Sequence, residues 1–229
     1  MELAFYIVIG AFGAAALIHL VFCVFEKEGP RKVSKPLTTL LLMSAILILV
    51  LTYPEMPFPK HLIWVAAIMC VFGDLFTLRV RSRPLFIIGS LFYAVAHILN
   101  FYVMTSMLSY VLPWWLYLAI AGACLLIGLA LYPATRLLFG KIAYAINLYL
   151  TLHLINFAFA ILLLIDGKPI VSIMILIGYA LYFVSDLFLT YSAYGKDIRR
   201  RDFYIMLFYY AGQILIMLGL ANTLLAISQ

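Results

Sequence analysis

The amino-acid sequence predicts an all-α, polytopic membrane protein, a single domain of residues 1–229 with eight transmembrane helices. Hydrophobic residues make up 67% of the chain and charged residues 10%, an apolar share that the core of one soluble domain could not bury. Apolar stretches of about 20 residues, enough to cross about 30 Å of hydrocarbon, recur along the chain with short connections. We therefore expect lipid to cover most of the surface.

Prolines and charged residues mark the ends of the predicted helices. The predicted spans cover residues 3–25, 36–53, 61–78, 84–107, 113–132, 140–165, 169–191 and 203–227. Pro36, Pro84, Pro113 and Pro169 stand near predicted starts, where a missing backbone N–H costs nothing. The first span lacks a positively charged beginning and runs for about 22 residues, which favours a retained helix over a cleaved signal peptide.

The distribution of positive charge predicts the orientation. All but Lys60 and Lys168 of the 15 Lys and Arg residues lie in or beside the connections that follow odd-numbered predicted helices. Because such connections remain in the cytoplasm, we expect both termini outside, in a bacterial inner membrane. The net charge of +6 then reflects topology and contact with the lipid bilayer, and no nucleic-acid partner is expected. The sequence leaves the oligomeric state open.

Two short echoes are compatible with an internal repeat. Gly73-Asp74-Leu75-Phe76 in predicted helix three resembles Ser185-Asp186-Leu187-Phe188 in predicted helix seven. Tyr93, His97, Asn100 and Phe101 in predicted helix four recur, at the same spacing, as Tyr149, His153, Asn156 and Phe157 in predicted helix six. Duplication of an ancestral half is one explanation, and chance is the other.

Asp74 and Asp186 are the first candidates for chemistry. Their predicted helices run in the same direction, and each aspartate lies about one turn from the predicted cytoplasmic end, so the carboxylates could face one another. An ionised aspartate in a membrane costs several kcal/mol unless it is paired or hydrated, which makes it a functional candidate. The alternative is that each bonds a neighbouring Tyr or Ser and helps the helices associate.

Other polar residues occupy defined faces of these helices. One face of predicted helix seven carries Tyr179, Tyr182, Asp186 and Thr190. His97 and Asn100 share a face of predicted helix four, as His153 and Asn156 do on predicted helix six. Since these residues lie near the predicted bilayer centre, roughly 10 Å from the aspartates, a direct histidine–aspartate bond is not expected. We expect them to line a substrate channel or to form an Asn–His network between helices.

Several residues are placed nearer the aspartates. His19, Tyr209, Tyr210 and Gln213 could reach that level from the first and last predicted helices. Lys35, at the cytoplasmic start of predicted helix two, could bind a lipid phosphate. Ordinary packing for His19 and an ordinary positive-inside role for Lys35 are the alternatives.

A series of these residues resembles a known family. The series is Lys35-Pro36, Gly73-Asp74, Phe86, Gly89, Phe92, His97, Tyr102, Ser185-Asp186, Tyr209-Tyr210 and Gln213. In this order it resembles the YhhN-like lysoplasmalogenase family, which includes the vertebrate transmembrane protein 86 group. The resemblance implies an eight-helix enzyme whose substrate is a lysophospholipid. Such an enzyme cleaves the vinyl-ether bond of a lysoplasmalogen to give a fatty aldehyde and glycerophosphocholine or glycerophosphoethanolamine.

Vinyl-ether hydrolysis matches two carboxyl groups in a poorly solvated site. Protonation of the alkenyl carbon leaves an oxocarbenium ion that water attacks, so an acid and a negative charge are both useful. Asp74 and Asp186 are therefore the predicted catalytic residues. The predicted substrate-binding residues are Lys35, His97, Asn100, Tyr182, Tyr209, Tyr210, Gln213, His19 and His153. No metal and no other cofactor is predicted.

Two other functions are alternatives. A zinc-dependent lipid amidase resembling the alkaline ceramidases would use His19, His97, His153 and an aspartate, although the chain lacks a His-x-x-x-His pair and the predicted depths differ. A proton-coupled transporter would suit the internal echoes and midplane polar groups, although no predicted span contains a central proline.

Overall fold

The computed structural model describes residues 2–53, 59–78, 82–140, 143–194 and 198–227. Within these ranges the chain forms eight helices and no strand, which confirms the predicted all-α class. The helices are α1 (Glu2–Val24), α2 (Glu28–Thr52), α3 (Pro59–Thr77), α4 (Arg83–Ser106), α5 (Trp114–Phe139), α6 (Ala143–Ile165), α7 (Pro169–Tyr194) and α8 (Arg201–Ile227).

Most of these helices have the length and composition of membrane spans. Among the described residues, seven helices are long and apolar enough to cross a membrane, whereas the described apolar part of α3, His61–Thr77, is shorter. Large apolar side chains such as Leu118, Leu126 and Ile173 are exposed on the outer surface of the bundle. This surface is typical of an integral membrane protein, because lipid takes the place of an outer polar layer.

Consecutive helices pack as pairs, and α8 lies near the centre. The closest pairs are α7 with α8, α3 with α4 and α1 with α2, while α8 also contacts α1, α2, α3 and α4. Glycine permits the tightest approach, since a Cβ atom on Gly212 would lie 2.8 Å from the carbonyl oxygen of Gly178. Side chains from several helices therefore meet around α8.

Several helices differ from their predicted bounds. Helix α2 begins at Glu28 and contains Pro36 in its interior, so the placement of Pro36 in a first turn is wrong. The helix can continue because the carbonyl that Pro36 leaves without a donor belongs to Lys32, in an exposed turn. Similarly, α5 passes through Pro133 to Phe139, and α7 extends to Tyr194.

Basic side chains gather where α1 ends and α2 begins. We call this the basic end, and its described members are Lys27, Arg31, Lys32, Lys35, Arg199, Arg200 and Arg201. Arg79, Arg81, Lys141 and Lys196, which also entered the orientation prediction, lie outside the described residues. The membrane orientation and the internal repeat remain predictions.

Candidate active site

Asp74, near the end of α3, is fully buried and saturated with donors. Its Oδ1 accepts hydrogen bonds from the Lys35 ammonium at 3.0 Å and the Tyr93 hydroxyl at 2.6 Å. Its Oδ2 accepts bonds from the Tyr209 hydroxyl at 3.0 Å and from the Thr39 hydroxyl. These donors come from α2, α4 and α8. Asp74 therefore ties three neighbouring helices to α3.

Gly73 makes this arrangement sterically possible. A Cβ atom at this position would lie 2.5 Å from the ring of Tyr93, so a larger residue would push the ring away from Asp74. Lys35 is held on the same side, because its ammonium also donates to Thr77 Oγ1 at 3.0 Å. The lysine predicted to bind phosphate is thus buried in an internal ion pair.

Asp186, on α7, lies in different surroundings. Its Oδ2 is 2.9 Å from Nε2 of His153 on α6, and its side chain is 13% exposed, compared with 0% for Asp74. The carboxyl group borders an apolar groove of about 150 Å³ between α4, α6 and α7. Residues around the groove include Phe86, Leu91, Tyr93, Ile146, Tyr149, Leu152 and Leu189. Asp186 can therefore meet a molecule that enters from the apolar side.

The bond between His153 and Asp186 corrects the sequence interpretation, which separated the histidines from the aspartates by depth. Helix α7 continues past its predicted end to Tyr194, so Asp186 lies about two turns inside the helix rather than one. Helix α6 also begins at Ala143 rather than at residue 140, and these two shifts of three residues together remove about 9 Å of the expected difference in depth.

The rings of the two central histidines lie close together at a tilt of 57°. The rings of His97 and His153 have centroids 4.3 Å apart, and Nε2 of His97 lies 3.2 Å from the Tyr149 hydroxyl. The expected Asn–His pairing is replaced by bonds to tyrosine, since the Tyr179 hydroxyl donates to Oδ1 of Asn156 at 2.9 Å. Tyrosine reaches farther across a helix interface than asparagine does, which explains the exchange of partners.

Tyr182 stands between the partners of the two aspartates. Its ring centroid lies 6.3 Å from that of Tyr93 and 5.5 Å from that of Tyr209, both of which bond Asp74. On its other side it lies 5.6 Å from the ring of His153, which bonds Asp186. The two carboxyl groups therefore belong to one aromatic cluster but bind separate sets of partners.

A larger cavity opens at the basic end. It encloses about 570 Å³, and its charged side chains are Glu28, Arg31, Lys32, Lys35, Arg201 and Asp202. The Arg31 guanidinium donates to the Asp202 carboxylate across this cavity. Leu189 borders both the cavity and the apolar groove. A polar compartment thus adjoins an apolar one at the depth of the candidate site.

A family comparison covers most of this arrangement. The model of the YhhN family matches residues 30–220. The chain belongs to the YhhN family. The matched region contains both aspartates, Lys35 and both central histidines. No curated protein and no solved structure matches the chain.

The remaining predicted site residues of this YhhN-family chain lie around the cluster. His19 borders the cavity, with Nδ1 2.6 Å from the Ser34 hydroxyl, and the Tyr210 ring packs against it at 5.7 Å. Gln213 donates to Cys70 Sγ at 3.1 Å. These contacts join His19, Tyr210 and Gln213 to partners other than the aspartates, whereas Tyr209 bonds Asp74.

Sequence reasoning missed Thr39 and Thr77 as parts of the site. Thr39 follows Lys35 by four residues, the spacing of one helical face. The signal was hidden because the predicted helix began only after Lys35. Thr77 follows Asp74 by three residues and accepts from the same lysine.

Three side chains of this YhhN-family site are close enough together to hold a metal ion. Donor atoms of His97, His153 and Asp186 all lie within 4.8 Å of one another, and these ligand types suit zinc. The depth objection to zinc is therefore wrong, although His19 lies apart from the set. Against a metal, Nδ1 of both histidines lacks a hydrogen-bond partner in the described structure, whereas metal-bound histidines usually donate from the second nitrogen.

Proposed function

We propose that this protein is a membrane-embedded hydrolase that cleaves the vinyl-ether bond of lysoplasmalogens, with Asp186 as the catalytic acid and base. The products are a fatty aldehyde and glycerophosphocholine or glycerophosphoethanolamine. The observation that best supports this assignment is that Asp186 borders the apolar groove while Asp74 is sealed. We further propose that all eight helices, α3 included, span a bacterial inner membrane with both termini outside.

The first step transfers a proton to carbon. The alkenyl chain lies in the groove, and protonated Asp186 donates its proton to the second carbon of the chain. The carbon–carbon double bond supplies the electron pair, which leaves an oxocarbenium ion at the first carbon and a carboxylate on Asp186. This carboxylate stabilises the new positive charge at short range.

The second step uses the same carboxylate as a base. Water attacks the first carbon and gives a proton to Asp186, which forms a hemiacetal and regenerates the acid. The hemiacetal then breaks its bond to the glycerol oxygen while its hydroxyl proton passes to that oxygen, which releases the aldehyde and the glycerol alcohol. One water is consumed, and Asp186 ends as it began.

The surroundings of Asp186 suit this cycle. Apolar groove residues solvate a carboxylate poorly, which favours the protonated form before the reaction. His153 orients the acid through its 2.9 Å contact with Oδ2. Because Nδ1 of His153 has no partner among the described residues, we place the imidazole proton on Nε2, where it donates to Oδ2, and the reactive proton on Oδ1.

Asp74 then has a positioning role rather than a catalytic one. Its charge balances Lys35, and its bond to Tyr93 fixes a side chain that lines the groove. The expected division of labour between two catalytic carboxylates is thus replaced by one reacting carboxyl group and one supporting carboxylate.

A panel of lysolipids tests the proposal. Purified protein is incubated with lysolipids of identical headgroup and chain length, in which the chain is attached by a vinyl ether, an alkyl ether or an ester. We expect aldehyde from the vinyl ether and no cleavage of the other two. Absence of aldehyde, or equal cleavage of the ester, would contradict it.

The donor set of His97, His153 and Asp186 favours a second candidate, a metal-dependent lipid hydrolase. Elemental analysis of purified protein, followed by assays on the vinyl ether and on a ceramide before and after chelation, separates the two. Stoichiometric zinc together with chelator-sensitive amide cleavage would favour this candidate. Aldehyde release that chelation leaves unchanged would exclude it.

A further inference from the structure

We propose that the ion pair between Arg31 and Asp202 is the recognition site for a zwitterionic phosphodiester headgroup. The lipid phosphate replaces Asp202 on the Arg31 guanidinium, and the released Asp202 carboxylate binds the ammonium group of the lipid. This inference rests on the proposed function only in taking a lysophospholipid as the ligand.

The pair is placed where a headgroup would arrive. Arg31 lies on the first turns of α2 and Asp202 in the first turn of α8. Both line the 570 Å³ cavity and the adjoining recess of about 340 Å³. Their side chains are 18% and 29% exposed, so a ligand in the cavity can reach both.

Asp202 occupies the position that an anionic ligand would take. Arg31 donates to its Oδ2, and Nε of Arg201 lies 3.3 Å from its Oδ1. Guanidinium groups bind phosphate with the same planar pair of donors that they offer to a carboxylate. Two arginines that hold an internal carboxylate can therefore hold a phosphate once the carboxylate turns away.

Charge balance selects a zwitterion over a simple anion. The pair is only partly buried and borders an open cavity, so a ligand can separate it at a lower cost than a fully buried pair. A phosphate alone would leave Asp202 without a cationic partner, whereas a phosphate joined to an ammonium group gives each protein charge a new partner. The site should therefore favour phosphoethanolamine or phosphocholine over phosphoglycerol.

The position of Arg31 would also allow one lipid to reach both the headgroup site and Asp186. Lys35, another cation that lines the cavity, is bonded to Asp74 and Thr77, so Arg31 is the better phosphate ligand of the two. Leu189 borders both the cavity and the groove of Asp186. A headgroup on Arg31 therefore leaves the chain free to pass Leu189 toward the catalytic acid.

The test measures binding of lysolipids that the enzyme cannot cleave. Alkyl-ether lysolipids with one chain and either a phosphoethanolamine or a phosphoglycerol headgroup are titrated against the full-length protein in detergent. Both carry the phosphate, and only the first carries the ammonium. We expect the wild-type protein to bind phosphoethanolamine about tenfold more tightly.

Substitutions separate the two halves of the site. Asp202→Asn should weaken phosphoethanolamine binding about tenfold and leave phosphoglycerol binding equal or stronger, and Asp202→Glu should restore the preference. Arg31→Gln should weaken both ligands about tenfold. Arg136→Gln, which removes a charge from the last turn of α5 away from the cavity, should change neither.

An unchanged headgroup preference in folded Asp202→Asn protein would overturn the proposal. If that variant does not fold, the double variant Arg31→Gln/Asp202→Asn removes both charges of the pair, so neither is left without a partner. A double variant that still prefers phosphoethanolamine to phosphoglycerol would also overturn the proposal. Headgroup discrimination without aldehyde release from the vinyl ether would refute the hydrolase and keep this site. Aldehyde release without discrimination would refute this site alone.

Discussion

Asp74 and Asp186 share the local sequence Asp-Leu-Phe, yet the folded protein treats them differently. Asp74 is sealed and accepts bonds from Lys35, Tyr93, Tyr209 and Thr39. Asp186 contacts His153 and borders an apolar groove. A carboxylate supplied with a cation and three hydroxyl donors is suited to holding helices together, whereas a carboxyl group with few donors beside a groove is suited to proton transfer.

The largest expected effect is on catalysis at Asp186. Asp186→Asn removes the transferable proton, and we expect aldehyde release to fall by about 10³-fold, within the range for loss of a general acid. The thermal midpoint should stay close to wild type, because the carboxyl group makes few bonds. Asp166→Asn, in the loop after α6, is the matched control. If the Asp186→Asn protein kept more than a tenth of the wild-type activity, Asp186 could not be the catalytic acid.

Asp74→Asn should act on stability instead. The change leaves Lys35 buried without its counter-charge, which we expect to cost about 3–5 kcal/mol. Unfolding in detergent measures this loss. Adding Lys35→Met should recover part of it, because the buried charge is then removed. A stable but inactive Asp74→Asn protein would show that this aspartate takes part in the chemistry directly.

His153 tests how the reactive carboxyl group is positioned. In His153→Phe the 2.9 Å contact with Asp186 is lost, and we expect kcat to fall by about tenfold to a hundredfold, as for groups that orient a catalytic residue. KM should change by less than about threefold, since the headgroup and groove contacts remain. A rise in KM at constant kcat would instead assign His153 to substrate binding.

The smallest expected effect is the loss of stability on substitution of Gly73, which packs against a partner of Asp74. In Gly73→Ala the new methyl group would lie 2.5 Å from the Tyr93 ring, and we expect a loss of about 1–3 kcal/mol from overpacking. Gly122→Ala, on α5, is the control, because nothing lies within 4 Å of its Cβ position. Equal unfolding midpoints for the two variants would argue against tight packing of Tyr93 beside Asp74.

The sequence predicts the helices and both aspartates, because a long apolar run and a charge within it have few alternative explanations. It does not predict the start of α2, since a proline in an exposed turn does not end a helix. It also misses the contact of His153 with Asp186, because the start of α6 and the end of α7 decide their relative depth. Partner choice depends on helix rotation and on the reach of tyrosine and lysine, which local sequence does not determine.

Hydrolysis of a lysoplasmalogen in D₂O, with the aldehyde trapped as it forms, tests proton delivery to carbon most directly. If an acid in the groove protonates the alkenyl carbon, the trapped product carries one deuterium on its second carbon, and the rate is lower than in H₂O. Folded Asp186→Asn protein should yield almost none of this product. An undeuterated second carbon, or the same deuterated product formed at the wild-type rate by Asp186→Asn, would contradict the assignment of Asp186 as the acid.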